Sequence, residues 1–227
     1  MFDLPVNNQY TGVFTEMAKR TYQLKRRAER QEETRQRIIE AAVELHETVG
    51  GAAATISAIA ERAGVERLTV YRHFPNEEAL VQACTGHYYN LNPQPDPAQW
   101  EEIDDPESYL RAALIDIYNY HRCTEKMSAS AERDAQLMSD LREILAPYTA
   151  HWEKIKAIAV GKFQSSGQHH LLLEGAIGHA IAFTTWRSLI RDQGLDDLQA
   201  VELMMAMVGC LLCQSSPSPF HRRAECP

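Results

Sequence analysis

The segment GVERLTVYRHF, from Gly64 to Phe74, mixes polar and apolar side chains more closely than either a core helix or a fully solvated helix would. Its apolar positions have the spacing of a packing face: Val65, Val70 and Phe74. The remaining side chains can form hydrogen bonds or offer a small apolar contact: Arg67, Leu68, Thr69, Tyr71, Arg72 and His73. This pattern predicts a short helix with one face on a core and another face available for recognition.

The second set of side chains suits the chemistry of a DNA groove. The planar fork of Arg67 can bond both O6 and N7 of a guanine, which discriminates between bases by about 1–3 kcal/mol. Leu68 and Thr69 can touch the methyl group of a thymine. Hydroxyl and imidazole groups can bond phosphate oxygens, which fixes the position of a protein along DNA. Groups of this kind are found at Thr55, Tyr71 and His73.

The flanking residues predict the elements that would position these groups. Thr55 can cap a helix over residues 56–63, and Gly64 supplies a tight turn before a second helix that ends at Pro75. Such a pair is a helix-turn-helix, whose second helix enters the major groove. A helical hairpin inside an ordinary bundle would show the same turn, and the groove-compatible side chains argue against that alternative.

A helix over residues 33–49 comes before this pair and provides the surface on which it packs. Its apolar stripe consists of Ile38, Ala42, Leu45 and Val49. After Pro75, Asn76 can cap a fourth helix that begins with Glu77 and Glu78. Four helices in quick succession therefore predict a compact unit.

The span from Thr34 to Ala83 resembles the N-terminal DNA-binding domain of the tetracycline-repressor (TetR) family. The resemblance rests on a combination of short motifs: Ala41-Ala42 within Ile38–Leu45, Thr55 with Ile59-Ala60, Ala63-Gly64-Val65, Thr69-Val70-Tyr71-Arg72-His73-Phe74, and Glu78-x-Leu80. It covers some fifty of the 227 residues, and the rest of the chain agrees in architecture only.

The resemblance implies a homodimer whose two recognition helices bind successive major grooves of a palindromic operator in double-stranded DNA. By position, the base-reading residues would be Ser57, Arg67, Leu68 and Thr69, and the phosphate-binding residues would be Thr55, Tyr71, Arg72 and His73. Two residues depart from the family pattern. Glu77 stands where a lysine often contacts phosphate, and Leu68 stands where a small residue or proline is common. The preferred DNA sequence should therefore differ from that of other members.

Composition indicates a globular protein, with 44% hydrophobic and 24% charged residues and no apolar run long enough to span a bilayer. The N-terminus lacks the features of a secretory signal, so we expect a cytoplasmic protein with reduced cysteines. No catalytic motif occurs, and we expect neither an enzyme nor a cofactor. Cys210-x-x-Cys213 and His169-His170 leave redox sensing and metal sensing as weak alternatives.

The negative charge is unevenly distributed along the chain. The net charge is −8, but residues 1–90 hold 11 basic and 12 acidic side chains, whereas residues 91–227 hold 12 and 19. Six basic residues and a single acidic residue lie between Lys19 and Arg30. We interpret residues 1–32 as a basic arm that is either disordered or in contact with DNA.

The remaining spacings are helical, so the predicted fold is all-α with a helix-turn-helix domain over residues 33–91 and a helical bundle over residues 92–214. Residues 92–105 read as a linker because they hold three prolines and five acidic residues. The bundle helices are predicted over residues 106–121, 128–145, 147–163, 169–192 and 196–214. Residues 215–227 are predicted to form a disordered tail.

The bundle is predicted to bind an unidentified small-molecule effector and to dimerise. Aromatic walls with a few polar groups suit a ligand pocket, and the candidate residues are Tyr118, His121, Trp152, Phe183 and Trp186. Small and apolar residues on the last two helices suit pairing with a second copy, and the candidates are Gly175, Gly178, Ala182, Met204, Val208 and Leu211. An ordinary intrachain core would use similar residues.

The hypothesis is a dimeric, ligand-responsive transcriptional repressor. One alternative is a constitutive DNA-binding regulator whose bundle only dimerises. Another alternative, from a different class, is an all-α ligand-binding protein or enzyme with a vestigial DNA-binding head.

Overall fold

The computed structural model describes residues 9–51, 53–136 and 139–213, and these residues form helices without β-strands. The all-α prediction is confirmed for this part of the chain. The helices are α1 (Gln9–Thr48), α2 (Ile56–Ala63), α3 (Arg67–His73), α4 (Glu77–Leu91), a short 3₁₀ helix (Pro97–Trp100), α5 (Pro106–Ala135), α6 (Ser139–Lys162), α7 (Gly167–Ile181), α8 (Phe183–Arg187) with a π-helical extension (Ser188–Asp192), and α9 (Asp197–Cys213).

The chain divides into two compact units, Met1–His87 and Tyr88–Pro227. The division falls inside α4, a few residues before the boundary that the composition suggested. Residues 88–91 thus belong to the second unit. The predicted tail, residues 215–227, lies outside the described residues.

The first unit is built on apolar contacts between α1 and the two short helices that follow it. Ile38 and Ala42 of α1 are fully buried, and they share one core with Ile59 of α2 and with Val70 and Phe74 at α3. Leu45 and Val65 are partly buried against this core, as the spacing predicts, but Val49 is 52% exposed. Val49 lies past the end of α1, where the chain has already turned away from the core.

Helix α1 begins far earlier than predicted. It extends from Gln9, so the described part of the presumed arm is helical and continuous with the stripe that begins at Ile38. No proline interrupts this stretch. The Lys25–Glu29 ion pair and the hydrogen bond from Thr34 Oγ1 to the Arg30 carbonyl, 2.8 Å long, both have helical spacing. The prediction of a helix start near Glu33 is therefore wrong.

The caps in the first unit follow the sequence signals. The Thr55 hydroxyl accepts a hydrogen bond from the Ala58 amide at 3.2 Å, and Asn76 Oδ1 accepts one from the Ala79 amide at 2.8 Å. Gly64 has φ of 65°, and the amide of the next residue, Val65, bonds to the Ala60 carbonyl. Because left-handed backbone strains residues that have a Cβ, glycine is the residue suited to this turn.

In the second unit, the proline-rich segment forms part of the bundle and is not a free linker. Trp100 is buried, and its indole Nε1 donates to Asp116 at 2.7 Å. His151 Nε2 lies 2.8 Å from the Pro95 carbonyl, and Lys162 donates to the Ile103 carbonyl at 2.9 Å. The linker prediction relied on the acidic residues of this segment, which remain solvated and do not oppose its packing. Burial of the single apolar side chain of Trp100 stabilises the packed position of the segment.

Helices α5 and α6 differ from the predicted divisions. Helix α5 continues without a break past His121, and ion pairs of Arg122 with Asp197 and of Glu125 with Arg191 fix this continuation to the last described helices. Helix α6 passes through Pro147, which is exposed. A proline frees one backbone carbonyl, and on an exposed face water can satisfy that carbonyl.

The predicted helix over residues 169–192 is divided at Ala182, which is extended. The following helix, α8, continues as a π-helical turn. Asp196 and Gln199 form the predicted reciprocal cap of α9, with hydrogen bonds of 2.8 and 3.0 Å. Among the described helices, none is both long enough and apolar enough to cross a membrane.

The turn between α2 and α3 gives a first prediction, on the effect of adding a methyl group at two glycines. Gly64→Ala should lower the local free energy of unfolding by about 1–2 kcal/mol, because a residue with a Cβ is strained at this positive φ. The added methyl group would meet no neighbouring atom, so the strain of the backbone is the whole expected effect. Gly86→Ala, inside α4 and equally uncrowded, should raise stability by up to about 1 kcal/mol. Hydrogen exchange of the α2 amides in the full chain measures the first effect, and α4 amides measure the second. Effects of the same sign would contradict the prediction.

Candidate nucleic-acid interface and effector cavity

Helix α3 presents two opposite faces. Val70 and Phe74 are buried against α1 and α2, whereas the side chains on the other side reach solvent. Leu68 is 68% exposed, so its side chain is available for an apolar contact. Four of the predicted DNA-binding residues on α3 are exposed and two are half-buried: Arg67, Leu68, Tyr71 and Arg72, then Thr69 and His73.

Two further predicted residues lie at the start of α2. Thr55 and Ser57 are both exposed, and the Thr55 hydroxyl already accepts the capping bond from Ala58. A threonine hydroxyl can still donate its own proton, so capping leaves Thr55 able to bond a phosphate oxygen. The N-terminus of α2 adds the positive end of a helix dipole to the same place.

A basic groove lies between α1 and α3. Its volume is about 840 Å³, and its lining residues are Arg27, Ala28, Arg30, Gln31, Glu32, Thr34, Thr69, Arg72 and His73. Thr69 and Arg72 are held together by a hydrogen bond of 2.9 Å from the guanidinium to the hydroxyl. Glu32, the one acid among these described lining residues, is 3.7 Å from Arg35. We call this feature the α1–α3 groove.

The arginines around α3 keep their charge available. Among the described residues, no carboxylate forms an ion pair with Arg27, Arg30, Arg67 or Arg72. By contrast, Arg62 of α2 is paired with Glu44 of α1. Unpaired guanidinium groups on one surface attract phosphate without first breaking an internal pair. The basic charge at Arg27 and Arg30 was evident from the sequence, but the position of these residues beside α3 was not predicted. The predicted first helix began near Glu33, so both arginines were placed in the arm that precedes it.

The second unit contains an aromatic cavity of about 280 Å³, formed by the end of α4 with α5, α6 and α8. Its lining residues are Tyr89, Tyr120, His121, Ser128, Ala131, Glu132, Ala135, Leu145, Tyr148, Thr149, Trp152 and Phe183. Tyr89 and Tyr148 are stacked with ring centres 3.6 Å apart. Burial raises the pKa of Tyr89 to about 12 and also raises the pKa of Tyr120, so both phenols are neutral at physiological pH.

Three of the five predicted ligand-binding residues line this cavity, and two do not. His121, Trp152 and Phe183 are in the lining. Tyr118 and Trp186 are fully buried in the core, where the Tyr118 hydroxyl donates to the Ala180 carbonyl and the Trp186 indole donates to Asp197. Their assignment to the pocket is wrong because aromatic composition does not distinguish a filled core from a cavity wall.

His121 is the polar centre of the cavity wall. Its Nε2 is 3.0 Å from the Ile181 carbonyl, and its Nδ1 is buried without a hydrogen-bond partner among the described residues. Because a carbonyl only accepts, Nε2 carries the proton and Nδ1 is a bare acceptor. Burial lowers the pKa of His121 from 6.5 to about 4, so the ring is neutral at physiological pH.

The predicted dimer residues fall in different environments. Met204 and Val208 are 3% and 2% exposed in the core of the second unit, and they cannot form a surface. A Cβ at Gly178 would lie 3.2 Å from Lys156 of α6, so this glycine accommodates an intrachain contact. Ala182 ends α7 and is half-buried, as is Leu211. Of the six, Gly175 alone is exposed.

Other side chains on α7 and α9 are exposed and apolar. Leu171 and Leu172 on α7 are exposed, as are Leu203 and Met207 on α9. Cys210 follows one turn after Met207 and is also exposed. Positions 203, 207 and 210 share one face of α9 by helical spacing. These exposed residues of α9 lie on a different face from the predicted Met204 and Val208, which are buried.

The fold and the surface of α3 together define a helical helix-turn-helix protein with a second helical unit. The family model described as "Bacterial regulatory proteins, tetR family" matches residues 38–84. Residues 38–84 therefore match the DNA-binding domain of that family, and the rest of the chain lies outside the matched region.

The sequence is similar to those of curated transcriptional regulators over part of its length. The HTH-type transcriptional regulator TtgR of Pseudomonas putida is 36% identical over 97 residues, which are 42% of this chain and 46% of that protein. The HTH-type transcriptional regulator SrpR of the same species is 41% identical over 78 residues, 32% of this chain and 37% of that one. The matched region spans less than half the length of either relative. These relatives are transcriptional regulators and not enzymes.

Solved structures share the fold over most of the chain. NalD, described as the secondary repressor of the MexAB-OprM multidrug efflux pump in Pseudomonas aeruginosa, has a TM-score of 0.52 at 21% identity and covers 79% of this chain and 96% of its own. A TetR-like transcriptional regulator from Rhodococcus sp. RHA1 has a TM-score of 0.57 at 17% identity, with coverages of 80% and 96%. At these identities the likeness concerns the fold alone.

The neutral, buried state of His121 gives a second prediction, on the pH dependence of stability. Its folded-state pKa is lower than its unfolded-state value, so the unfolded chain takes up the proton first as pH falls. His121 should therefore reduce the free energy of unfolding between about pH 6.5 and pH 4, by roughly 3 kcal/mol in total, with no further loss below pH 4.

Urea unfolding of the wild type and of His121→Phe at each pH measures this contribution. The variant should lose less stability than the wild type on acidification. Parallel curves for the two proteins over this pH range would contradict the assignment of the titration to His121.

Proposed function

We propose that this protein is a transcriptional repressor that binds a palindromic operator as a homodimer and is released by a small molecule. The observation that carries the proposal is the exposed face of α3, where Arg67 and Leu68 reach solvent on a helix that Val70 and Phe74 hold in place. An operator-binding protein acts where the chromosome lies, so the expected location is the cytoplasm.

Base reading is assigned to the N-terminal half of α3. The guanidinium of Arg67 can bond guanine in the bidentate manner, and the exposed Leu68 offers an apolar surface to a thymine methyl. Ser57 and Thr69 are the remaining candidates for base contacts. The side chains of Thr55, Tyr71, Arg72 and His73 are assigned to phosphates, which position the helix without selecting a sequence.

The α1–α3 groove extends this phosphate surface. Arg27 and Arg30 lie one turn apart on α1, and Arg72 and His73 complete the lining from α3. Phosphates of a DNA strand alongside α3 would find four basic groups in one cleft. Glu77 removes a phosphate contact at the start of α4, and the α1 arginines supply a replacement.

Dimerisation is assigned to the exposed apolar side chains of α7 and α9. Leu171 and Leu172 on one helix and Leu203 and Met207 on the other are costly to expose on a monomer. Helix α7 packs beside α9, so the two exposed sets lie on neighbouring helices. Pairing with a second copy around a twofold axis would bury both sets and place two α3 helices on a palindrome.

The DNA assignment gives a third prediction, which separates base contacts from phosphate contacts. The operator is first selected from a random DNA pool. Arg67→Ala should weaken operator binding about 10- to 100-fold and relax the preference at one base position. Arg30→Ala should weaken operator and unrelated DNA to the same degree and reduce the salt slope of log affinity by about 1.

Lys154→Ala is the control, since Lys154 is an exposed cation on α6 whose removal changes net charge equally. Fluorescence anisotropy at several salt concentrations measures all three variants. The proposal is wrong if the wild-type dimer selects no sequence, or if Arg67→Ala behaves as Lys154→Ala does. The groove assignment alone is wrong if Arg30→Ala matches the control.

A fourth prediction concerns the dimer surface. Met207→Glu places a charge among the exposed apolar side chains of α9 and should convert the dimer to a monomer at micromolar concentration, because burying an unpaired carboxylate costs several kcal/mol. Leu24→Glu is the control, since Leu24 is 59% exposed on α1 in the first unit, away from α7 and α9 in the chain. Sedimentation velocity measures both. A Met207→Glu protein that remains dimeric, with native circular dichroism, would contradict the assignment.

A further inference from the structure

Two features of the aromatic cavity remain unexplained by packing alone. It is large enough for a molecule of two fused or linked rings, and one of its lining residues, His121, has a buried acceptor, Nδ1, that no group among the described residues satisfies. A buried polar atom without a partner costs about 1–3 kcal/mol, so most such atoms in proteins are paired. The inference below rests on the proposed function, because it names the chemistry of the effector.

We propose that this cavity binds a planar aromatic molecule that carries no negative charge and donates a hydrogen bond to His121 Nδ1. Flat rings of the ligand would pack against the tyrosine, tryptophan and phenylalanine side chains that form much of the wall. A hydroxyl or N–H group on the ligand would supply the proton that Nδ1 lacks.

The tautomer of His121 makes the ligand a donor. The Ile181 carbonyl holds the ring by Nε2–H, so the imidazole cannot present a proton at Nδ1 while that bond lasts. An acceptor group on the ligand, such as an ether oxygen, would meet a lone pair. The site therefore discriminates between a phenol and its methyl ether, although the two have similar shape and apolar surface.

Access to Nδ1 requires a movement of aromatic rings. Trp152 and Phe183 flank the imidazole with ring centres at 5.3 and 5.5 Å, and both are only half-buried. Tyr118 and Trp186 behind the imidazole are fully buried and hydrogen-bonded. The fixed rings hold His121 in place, whereas Trp152 and Phe183 are the rings that would turn to admit a ligand.

The charges around the cavity exclude an anion. Of the described residues in the lining, none is lysine or arginine, and Glu132 contributes a carboxylate on the exposed side. Tyr89 and Tyr120 are neutral and can hydrogen-bond but cannot compensate a negative charge. An aromatic carboxylate would have to give up its hydration without gaining a counter-ion.

The experiment uses three biphenyl probes of similar size on the full-length protein. 4-Phenylphenol carries a donor, 4-methoxybiphenyl lacks it, and biphenyl-4-carboxylate carries a negative charge. Calorimetry should show 4-phenylphenol binding about tenfold more tightly than 4-methoxybiphenyl, with no detectable binding of the carboxylate. Equal affinity for the phenol and the ether, or preferential binding of the carboxylate, would overturn the proposal.

His121→Phe keeps an aromatic ring and removes the acceptor. It should reduce the affinity for 4-phenylphenol to that for 4-methoxybiphenyl and leave the latter unchanged, whereas His179→Phe, at an exposed histidine outside the lining, should change neither. If His121→Phe does not fold, ¹⁵N spectra of wild-type His121 decide the question. Addition of 4-phenylphenol should shift the Nδ1 resonance, and an unchanged resonance under saturation would overturn the proposal.

The outcomes also separate this inference from the proposed function. Operator binding measured without any probe tests the repressor assignment independently. A protein that selects an operator but binds none of the probes refutes the ligand inference only. A protein that binds 4-phenylphenol with unchanged operator affinity supports the cavity assignment and refutes release by this class of molecule.

Discussion

The packing of α2 and α3 on the apolar stripe of α1 is the interaction on which the interface depends. Helix α3 has seven residues, which is too short to be stable in isolation. Burial of Val70 and Phe74 against Ile38 and Ala42 supplies the stability that its own hydrogen bonds do not. Since those two side chains face inward, helical spacing turns Leu68 and Arg72 outward, and Arg67 is exposed at the first position of the helix. The recognition surface is thus a consequence of the core, and the left-handed turn at Gly64 sets the angle at which it is presented.

Charge is organised around the same helix. The chain as a whole is acidic, and most of the excess lies after residue 90, where a DNA strand would be repelled. The first unit is nearly neutral in sum, but its unpaired arginines are concentrated on α3 and on the adjoining part of α1. Net charge therefore says little about partners in this protein. What matters is that carboxylates pair with Arg62 and Arg35, whereas within the described residues none pairs with Arg27, Arg30, Arg67 or Arg72.

The sequence was sufficient for the helix-turn-helix because its signals are local. A capping threonine, a glycine at positive φ and apolar spacing over fewer than about twenty residues determine α2 and α3, and all three were predictable. Helix ends were less predictable where neighbours in space decide them, as in α5, whose continuation is fixed by ion pairs to residues far along the chain. The same limit explains why Tyr118 and Trp186 were predicted to line the cavity although they are buried in the core. Whether an aromatic ring lines a cavity or fills a core depends on the residues that pack against it from other helices. The periodicity of one helix does not contain this information.

The aromatic side chains of the second unit accordingly have two physical roles. Those that are hydrogen-bonded and fully enclosed, such as Trp186, resist movement because any displacement breaks a buried hydrogen bond and opens a void. Those that are half-buried, such as Trp152 and Phe183, pack against the core on one side only and would lose fewer contacts if they turned. His121 stands where the two sets meet, fixed at Nε2 and unsatisfied at Nδ1 within the described part of the chain. In the proposed complex, the ligand would donate a hydrogen bond to a histidine that is held in place and would pack against aromatic rings that adjust to it. The position of His121 between the two sets of rings would then matter more for selectivity than the number of rings.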